Sequence, residues 1–312
     1  MPLDLTTTIA GIRLNNPILV ASGTFSYGQE FAEFYDLSLL GGLITKTITL
    51  EPRQGNPPPR VTETAAGMLN SIGLANPGVD GFLKDKLPQL KDVGCPIIVN
   101  IAGRTVPEYA QVAAMVSDSD GIAALELNVS CPNVKEGGIQ FGTDETMLAG
   151  VVRDVKAATH LPVIVKLSPN VTDIARMAIA AQDGGADAVS LINTLIGMAV
   201  DAQSRKPIIG AVTGGLSGPA IKPVALAMVW KVANAAQIPI IGIGGIMTGQ
   251  DAAEFMIAGA SAVQVGTANF VDPHSAPRIL SELTDFLGEQ NLASPSDLVA
   301  TIRTLRVVSG GR

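Results

Sequence analysis

Cysteine and histidine are nearly missing from this 312-residue chain, which has two of each. Cys95 and Cys131 show no CxxC spacing, so they build neither a disulfide framework nor a four-cysteine iron–sulfur cluster, and a reducing cytoplasm is the expected compartment. His160 and His274 are lone and no HExxH motif is present, so structural histidines and no metal site are expected. Aromatic residues make up 4% and charged residues 16%. Basic residues (21) are outnumbered by acidic ones (28), and a chain with net charge -7 lacks the basic face that nucleic-acid binding needs. The longest apolar runs, such as residues 224–230, fall far short of the roughly 20 residues that span a bilayer. The start, MPLDLTTTIAG, has no basic residues and no apolar core, so no signal peptide and no membrane anchor are expected. There is no Walker A motif, and Gly242-Ile243-Gly244 is not a dinucleotide fingerprint, because Met247 stands where the third glycine belongs.

What the chain does have is small and aliphatic. Hydrophobic residues are 47% of it, with 33 Gly and 20 Pro, enough for one large α/β domain or two small ones. Residues 6–18 read as a small hairpin around Ala10-Gly11, followed by a buried strand, Ile18-Leu19-Val20. Residues 28–40 suit a helix, and Gly42-Leu43-Ile44-Thr45-Lys46 is a second strand. A long irregular stretch follows, through Pro57-Pro58-Pro59 to Asn70-Ser71-Ile72-Gly73-Leu74, and a loop of that length rich in polar groups is expected to bind something. The pattern then repeats. Cys95-Pro96-Ile97-Ile98-Val99, Leu161-Pro162-Val163-Ile164-Val165 and Ile238-Pro239-Ile240-Ile241 each place proline at a strand start, where its missing N–H does no harm. Each is followed by a helical segment, such as 171–182 or 249–257, and a second strand led by Gly or Ala. Eight aliphatic strands alternating with helices predict a parallel sheet covered on its outside. The expected fold is an α/β (β/α)8 TIM barrel spanning residues 1–312 as a single domain, with an N-terminal hairpin and inserted active-site loops. A doubly wound open sheet is the alternative.

Barrels place their chemistry at the carboxyl ends of the strands. Read in turn, those ends are Ser22, Lys46, Asn100, Asn128 with Cys131, Lys166 with Ser168, Asn193 with Thr194, Gly244 with Gly245, and Gly266 with Thr267. The last two pairs offer bare backbone N–H groups where barrels frequently bind phosphate. Cys131 lies just past a buried strand and before the polar, Gly-rich Val134-Lys135-Glu136-Gly137-Gly138. A small core residue is the plain reading of such a cysteine. Two Asn and a Ser beside it are costly in an apolar core, however, and useful around a polar ligand. Lys46 and Lys166, each after an aliphatic run, would then stabilise negative charge beside a phosphate-bearing cofactor.

Asn128-Val129-Ser130-Cys131-Pro132-Asn133, Asn70-Ser71-Ile72-Gly73-Leu74, Lys46-Thr47, Ile192-Asn193-Thr194 and the pairs Gly244-Gly245 and Gly266-Thr267 together resemble the class 1 dihydroorotate dehydrogenases over nearly the whole chain. Class 2 members carry serine at the base position and a membrane-binding extension. The Val134 to Gly138 sequence is more similar to the NAD-linked (1B) subclass. The resemblance implies a flavin enzyme that makes orotate for pyrimidine biosynthesis, with one FMN per chain. The phosphate would lie on Gly244, Gly245, Gly266 and Thr267, with Gly218 nearby. Ser22, Lys46, Thr47, Asn100, Asn128, Lys166 and Ile192 would surround the ring and ribityl. Dihydroorotate would be held by Lys46, Asn70, Ser71, Ile72, Gly73, Leu74, Asn128, Asn193 and Thr194, with Cys131 as the base. The NAD-linked subclass implies a partner subunit carrying FAD and [2Fe–2S], in a dimer of heterodimers. Open alternatives are the fumarate-linked class 1A enzyme, another FMN barrel reductase of the dihydropyrimidine dehydrogenase or dihydrouridine reductase type, and a barrel that only binds phosphorylated ligands.

Overall fold

The protein is described by a computed structural model over residues 3–130 and 141–303. In chain order its strands are β1 (Thr7–Ile9), β2 (Ile12–Leu14), β3 (Ile18–Val20), β4 (Gly42–Ile44), β5 (Val61–Thr64), β6 (Gly67–Asn70), β7 (Ile97–Ile101), β8 (Ala124–Asn128), β9 (Val163–Lys166), β10 (Ala188–Leu191), β11 (Leu195–Met198), β12 (Val200–Asp201), β13 (Lys206–Pro207), β14 (Thr213–Ser217), β15 (Ile240–Ile243) and β16 (Ala262–Val265). Eight of them close a parallel barrel in the order β3-β4-β7-β8-β9-β10-β15-β16, and β16 returns to pair with β3 through Val263↔Ile18 and Val265↔Val20. That closure excludes the open doubly wound sheet.

The alternation of side chains decides what lies inside. Leu19, Ile44, Ile98, Ala124, Ile164, Ala188, Ile241 and Ala262 point into the barrel, and Ile9 and Leu14 of the β1–β2 hairpin pack against them. The hairpin therefore caps the end where the strands begin. The residues between, such as Leu125, Leu127, Val163, Val165, Val189 and Val263, face outward into the larger core under the helices. Those helices start at side-chain caps: Thr105 accepts from the Glu108 N–H, Asp144 from Met147 and Asp173 from Ala175. The Asp173 cap is why the helix expected from residue 171 runs Ile174–Asp183 instead. Thr248 and Asp251 form a reciprocal capping box at the start of Gly249–Ala258.

Two expectations fail. Residues 28–40 form turns, with only a 3₁₀ turn at Leu37–Leu39. Gly28 takes φ 84, outside the helical region, and Phe31 folds back to stack on Phe25 with ring centroids 4.0 Å apart. An aromatic pair anchors this segment, not a helical stripe. The long irregular stretch, in turn, carries the β5–β6 hairpin, which β14 and β11 extend into a four-stranded antiparallel sheet in the order β11-β14-β6-β5. Gly67 makes the join possible: it takes φ 152, and a Cβ there would lie 2.0 Å from the Ser217 carbonyl oxygen. Asn76 pins the following loop, donating to the Leu74 carbonyl at 2.7 Å and accepting from the Gly78 N–H at 2.8 Å.

Candidate active site

Two groups of side chains converge where the barrel strands end. In the first, Asn128 closes β8, and its carbonyl oxygen accepts from the Tyr109 hydroxyl at 2.7 Å. Its Oδ1 accepts from Asn193 Nδ2 at 3.2 Å, across 65 residues of sequence. Asn193 Oδ1 accepts from the Thr194 N–H at 2.8 Å, and Asn170 Nδ2 donates to the Thr194 carbonyl at 3.0 Å. Asn70 joins from the outer sheet, donating to the Gly215 carbonyl at 3.3 Å. Gly215 lies under Thr194, since a Cβ on it would collide with the threonine side chain. The loop after Asn70 is held by Asn56, whose N–H donates to the Ile72 carbonyl and whose Nδ2 donates to the Ser71 carbonyl. Gly73 and Leu74 both take positive φ there, 75 and 57, which turns the backbone sharply. Lys46 follows β4, its N–H donating to the Ser26 carbonyl at 2.8 Å. Burial holds the Lys46 ammonium below the ordinary lysine value, and the Arg60 guanidinium adds to the effect.

The second group is glycine. A Cβ on Gly245 would meet the Gly218 carbonyl oxygen at 2.8 Å, and one on Gly218 would meet Gly67 Cα at 2.6 Å and Thr267 Cγ2 at 3.5 Å. A Cβ on Gly244 would meet Ala225 at 2.8 Å and Ile192 at 3.4 Å. Gly218, Gly244, Gly245, Thr267 and Ile192 thus form one cradle, with Gly266 beside Ala21 and the buried Ser22 next in the chain. Thr267 donates to Ser217 Oγ at 2.8 Å. Lys222 borders the cradle, but its Nζ is taken by Asp251 at 2.5 Å and Glu254 at 2.8 Å. An anion bound here would be met by backbone N–H groups more than by that cation. Thr47 is buried one residue beyond Lys46.

Beneath both groups lies a layer that joins two expected site residues, Asn100 and Lys166, to three that were not expected there, Glu126, Ser190 and Gln264. Asn100, Glu126, Lys166, Ser190 and Gln264 are all buried, each two residues beyond an inward-facing apolar residue of its strand. Glu126 Oε1 accepts from Asn100 Nδ2 at 2.6 Å, and Oε2 accepts from Ser190 Oγ at 2.8 Å and Gln264 Nε2 at 2.6 Å. Lys166 Nζ stands 3.9 Å from Glu126 Oε1, so this lysine has a buried partner and no surface salt bridge. A carboxylate between two leucines in a barrel strand, two residues before the Asn that ends it, was the available signal. Cys131 lies outside the described residues, as does the Val134 to Gly138 sequence. Among the described residues no group of three or more His, Cys, Asp or Glu could hold a metal, and no helix is long and apolar enough to cross a membrane.

The family model described as dihydroorotate dehydrogenase matches residues 4–287. This chain belongs to the dihydroorotate dehydrogenase family. It is 56% identical over 299 residues to the dihydroorotate dehydrogenase B (NAD(+)) catalytic subunit of Geobacter sp. (strain M21), covering 96% of this chain and 98% of that protein. The protein of the same description from Pelobacter propionicus is 54% identical over 302 residues, covering 97% and 99%. Among solved structures, DHODH from Eimeria tenella in complex with ferulenol matches with a TM-score of 0.79 at 25% identity, over 96% of this chain and 88% of that one. Membership of the dihydroorotate dehydrogenase family implies FMN.

Cys95, the cysteine that lies among the described residues, is half-buried. Burial pushes the Cys95 thiol up to about 12, with the Asp36 carboxylate adding to it. It therefore stays protonated and unreactive near neutral pH. Iodoacetamide labelling followed by peptide mass mapping is expected to leave Cys95 unmodified, and Cys95→Ala to keep full activity. Alkylation of Cys95 in the folded protein would contradict this.

Proposed function

We propose that this chain is the catalytic subunit of an NAD-linked (class 1B) dihydroorotate dehydrogenase. It oxidises dihydroorotate to orotate in de novo pyrimidine (UMP) biosynthesis and passes the electrons to NAD through a partner subunit that carries FAD and [2Fe–2S]. Residues 1–312 act as one FMN-binding barrel domain in the cytoplasm. The observation that supports the reading is the glycine cradle of Gly218, Gly244 and Gly245, which reaches Ile192 beside the carboxamide pair Asn128 and Asn193, with Lys46 and Lys166 at the ends of two further barrel strands.

The residues present fit FMN. Asn100 Oδ1 and Gln264 Oε1 are buried acceptors without a partner among the described residues, the kind of group that a polar ligand completes. The N–H groups of Gly244, Gly245, Gly266 and Thr267 donate to no other backbone group among the described residues, as a phosphate site requires. Gly244, Gly245, Gly266, Thr267 and Gly218 would hold the phosphate, with Ser22, Lys46, Thr47, Asn100, Asn128, Lys166 and Ile192 around the remainder. When bound, FMN supplies the two-electron acceptor. Lys46, Asn70, Asn128, Asn193 and Thr194, with the backbone of Ser71, Ile72, Gly73 and Leu74, orient the substrate ring. Cys131 would take the proton from C5 as hydride passes from C6 to the two-electron acceptor that FMN supplies, and this would convert the single bond of dihydroorotate to the double bond of orotate. Lys166, whose Nζ stands 3.9 Å from Glu126 Oε1, would lie beside the acceptor.

The test is direct. The purified protein is expected to be yellow with one FMN per chain, and anaerobic dihydroorotate is expected to bleach it. A chain that carries no flavin and takes none up overturns the reading in favour of a barrel that only binds phosphorylated ligands. Bleaching by a dihydropyrimidine and not by dihydroorotate points to the reductase alternative.

The depressed ammonium of Lys46 makes a prediction for substrate binding. Between its lowered value and the ordinary lysine range, Lys46 of the free protein gives up its proton. A carboxylate laid against it favours the charged form, so binding takes up a proton in that window. Orotate affinity is therefore expected to fall as pH rises through the lowered value. Calorimetry in buffers of different ionisation enthalpy reads the proton directly. Lys46→Arg, whose guanidinium does not titrate, is expected to abolish the uptake. Equal uptake in both proteins would exclude Lys46 as its source.

A further inference from the structure

Glu126 is 0% exposed, in the middle of a barrel strand. A carboxylate in such a place is retained only where donors and a cation surround it. Here Asn100 reaches it from β7, Lys166 from β9, Ser190 from β10 and Gln264 from β16, so one carboxylate ties together five strands of the barrel. Two details of the geometry matter. An ionised carboxylate only accepts hydrogen bonds, so the amide nitrogens of Asn100 and Gln264 must face Glu126 and their oxygens must face away. Those oxygens are acceptors of the buried layer that have no partner among the described residues. The lysine, in contrast, stands 3.9 Å away, close enough for Coulomb attraction and too far for a hydrogen bond. Its three donors are not consumed by the pair.

We infer that Glu126 is a positioning residue of the site: it is the counter-charge beside the Lys166 ammonium, whose donors it does not consume, and it sets the amide orientation of Asn100 and Gln264. This rests on the reading of the mouth as an FMN site with Lys166 beside the acceptor. The consequence is electrostatic. With Glu126 in place, the positive charge offered to a reduced flavin is partly compensated at short range. Without it, the same ammonium acts uncompensated in a low-dielectric setting, and the reduced anionic form gains. Glu126 therefore tunes the flavin potential downward, while Lys166 raises it. Ser190 and Gln264 act through the carboxylate by fixing where its charge lies.

The potential of the protein-bound FMN, read anaerobically by equilibration with a dye of known midpoint, tests this. Glu126→Gln is expected to favour the reduced form at least tenfold, an upward shift of about 30 mV for the two-electron couple. Glu126→Asp keeps the charge and is expected to stay closer to wild type than to Glu126→Gln. A purely structural role predicts the opposite order, since aspartate is the smaller side chain and leaves more of the layer unfilled. If Glu126→Gln does not fold, the comparison is made between Lys166→Met and Glu126→Gln/Lys166→Met, where no buried cation is left alone. Removing the carboxylate is again expected to raise the potential. A midpoint that stays or falls on loss of the carboxylate, or an aspartate variant that shifts as far as the glutamine one, overturns the inference while a yellow wild type leaves the FMN reading intact. A wild-type chain that takes up no FMN overturns that reading, and the inference with it.

Discussion

Cys131→Ala is expected to keep its FMN and to lose roughly 10²–10⁴-fold in the rate of flavin reduction by dihydroorotate, the usual contribution of a positioned general base. The residues next to it explain why the loss falls on rate and not on retention. The cofactor side of the mouth is the glycine cradle of Gly218, Gly244 and Gly245, to which position 131 contributes nothing in the reading above. On the chemical side, Asn128 ends β8 three residues before Cys131. Its carbonyl is held by Tyr109 at 2.7 Å, and its Oδ1 accepts from the Ser130 N–H at 3.3 Å. A thiol with an ordinary value near 8.5 is mostly protonated at neutral pH. The wild-type reduction rate is therefore expected to rise with pH through the thiol range, earlier if nearby lysines lower that value. The alanine variant is expected to lose this limb of the profile. Anaerobic stopped-flow at several pH values measures both. Reduction of the alanine variant's flavin at the wild-type rate would show that Cys131 is not the base.

The second large effect concerns the acceptor. The isolated chain is expected to pass electrons from dihydroorotate to dyes or oxygen and to reduce NAD only at background level. Its 312 residues contain no dinucleotide fingerprint, and two cysteines cannot hold a four-cysteine cluster. Adding the iron–sulfur flavoprotein subunit is expected to restore NAD reduction to full turnover. Light scattering on the mixture is expected to give the mass of a dimer of heterodimers. Efficient fumarate reduction by the chain alone, with no gain from the partner, would assign it to the self-contained class 1A enzymes and leave its chemistry at the flavin unchanged.

Much of this protein was determined by its sequence alone. The aliphatic runs with proline at their starts specify buried parallel strands, because only a sheet covered on its outside tolerates them. Eight aliphatic strands, only some of them led by proline, predict a barrel ahead of an open sheet, and the polar or glycine residue at each strand end marks the mouth. These are local patterns, and local patterns are legible. Glu126 and Gln264 were visible as letters, but 138 residues separate them, and only closure of the barrel between β16 and β3 brings them onto one carboxylate. Asn70 reaches Gly215 across 145 residues because β14 pairs with β6, a pairing that nothing within the loop itself encodes. Residues 28–40 had the composition of a helix, yet Gly28 at positive φ and the Phe25–Phe31 stack took precedence. For Glu126 and Asn70 the deciding energy is a contact between distant segments, which exists only once the chain has closed; in residues 28–40 it is a short-range ring contact that composition does not reveal.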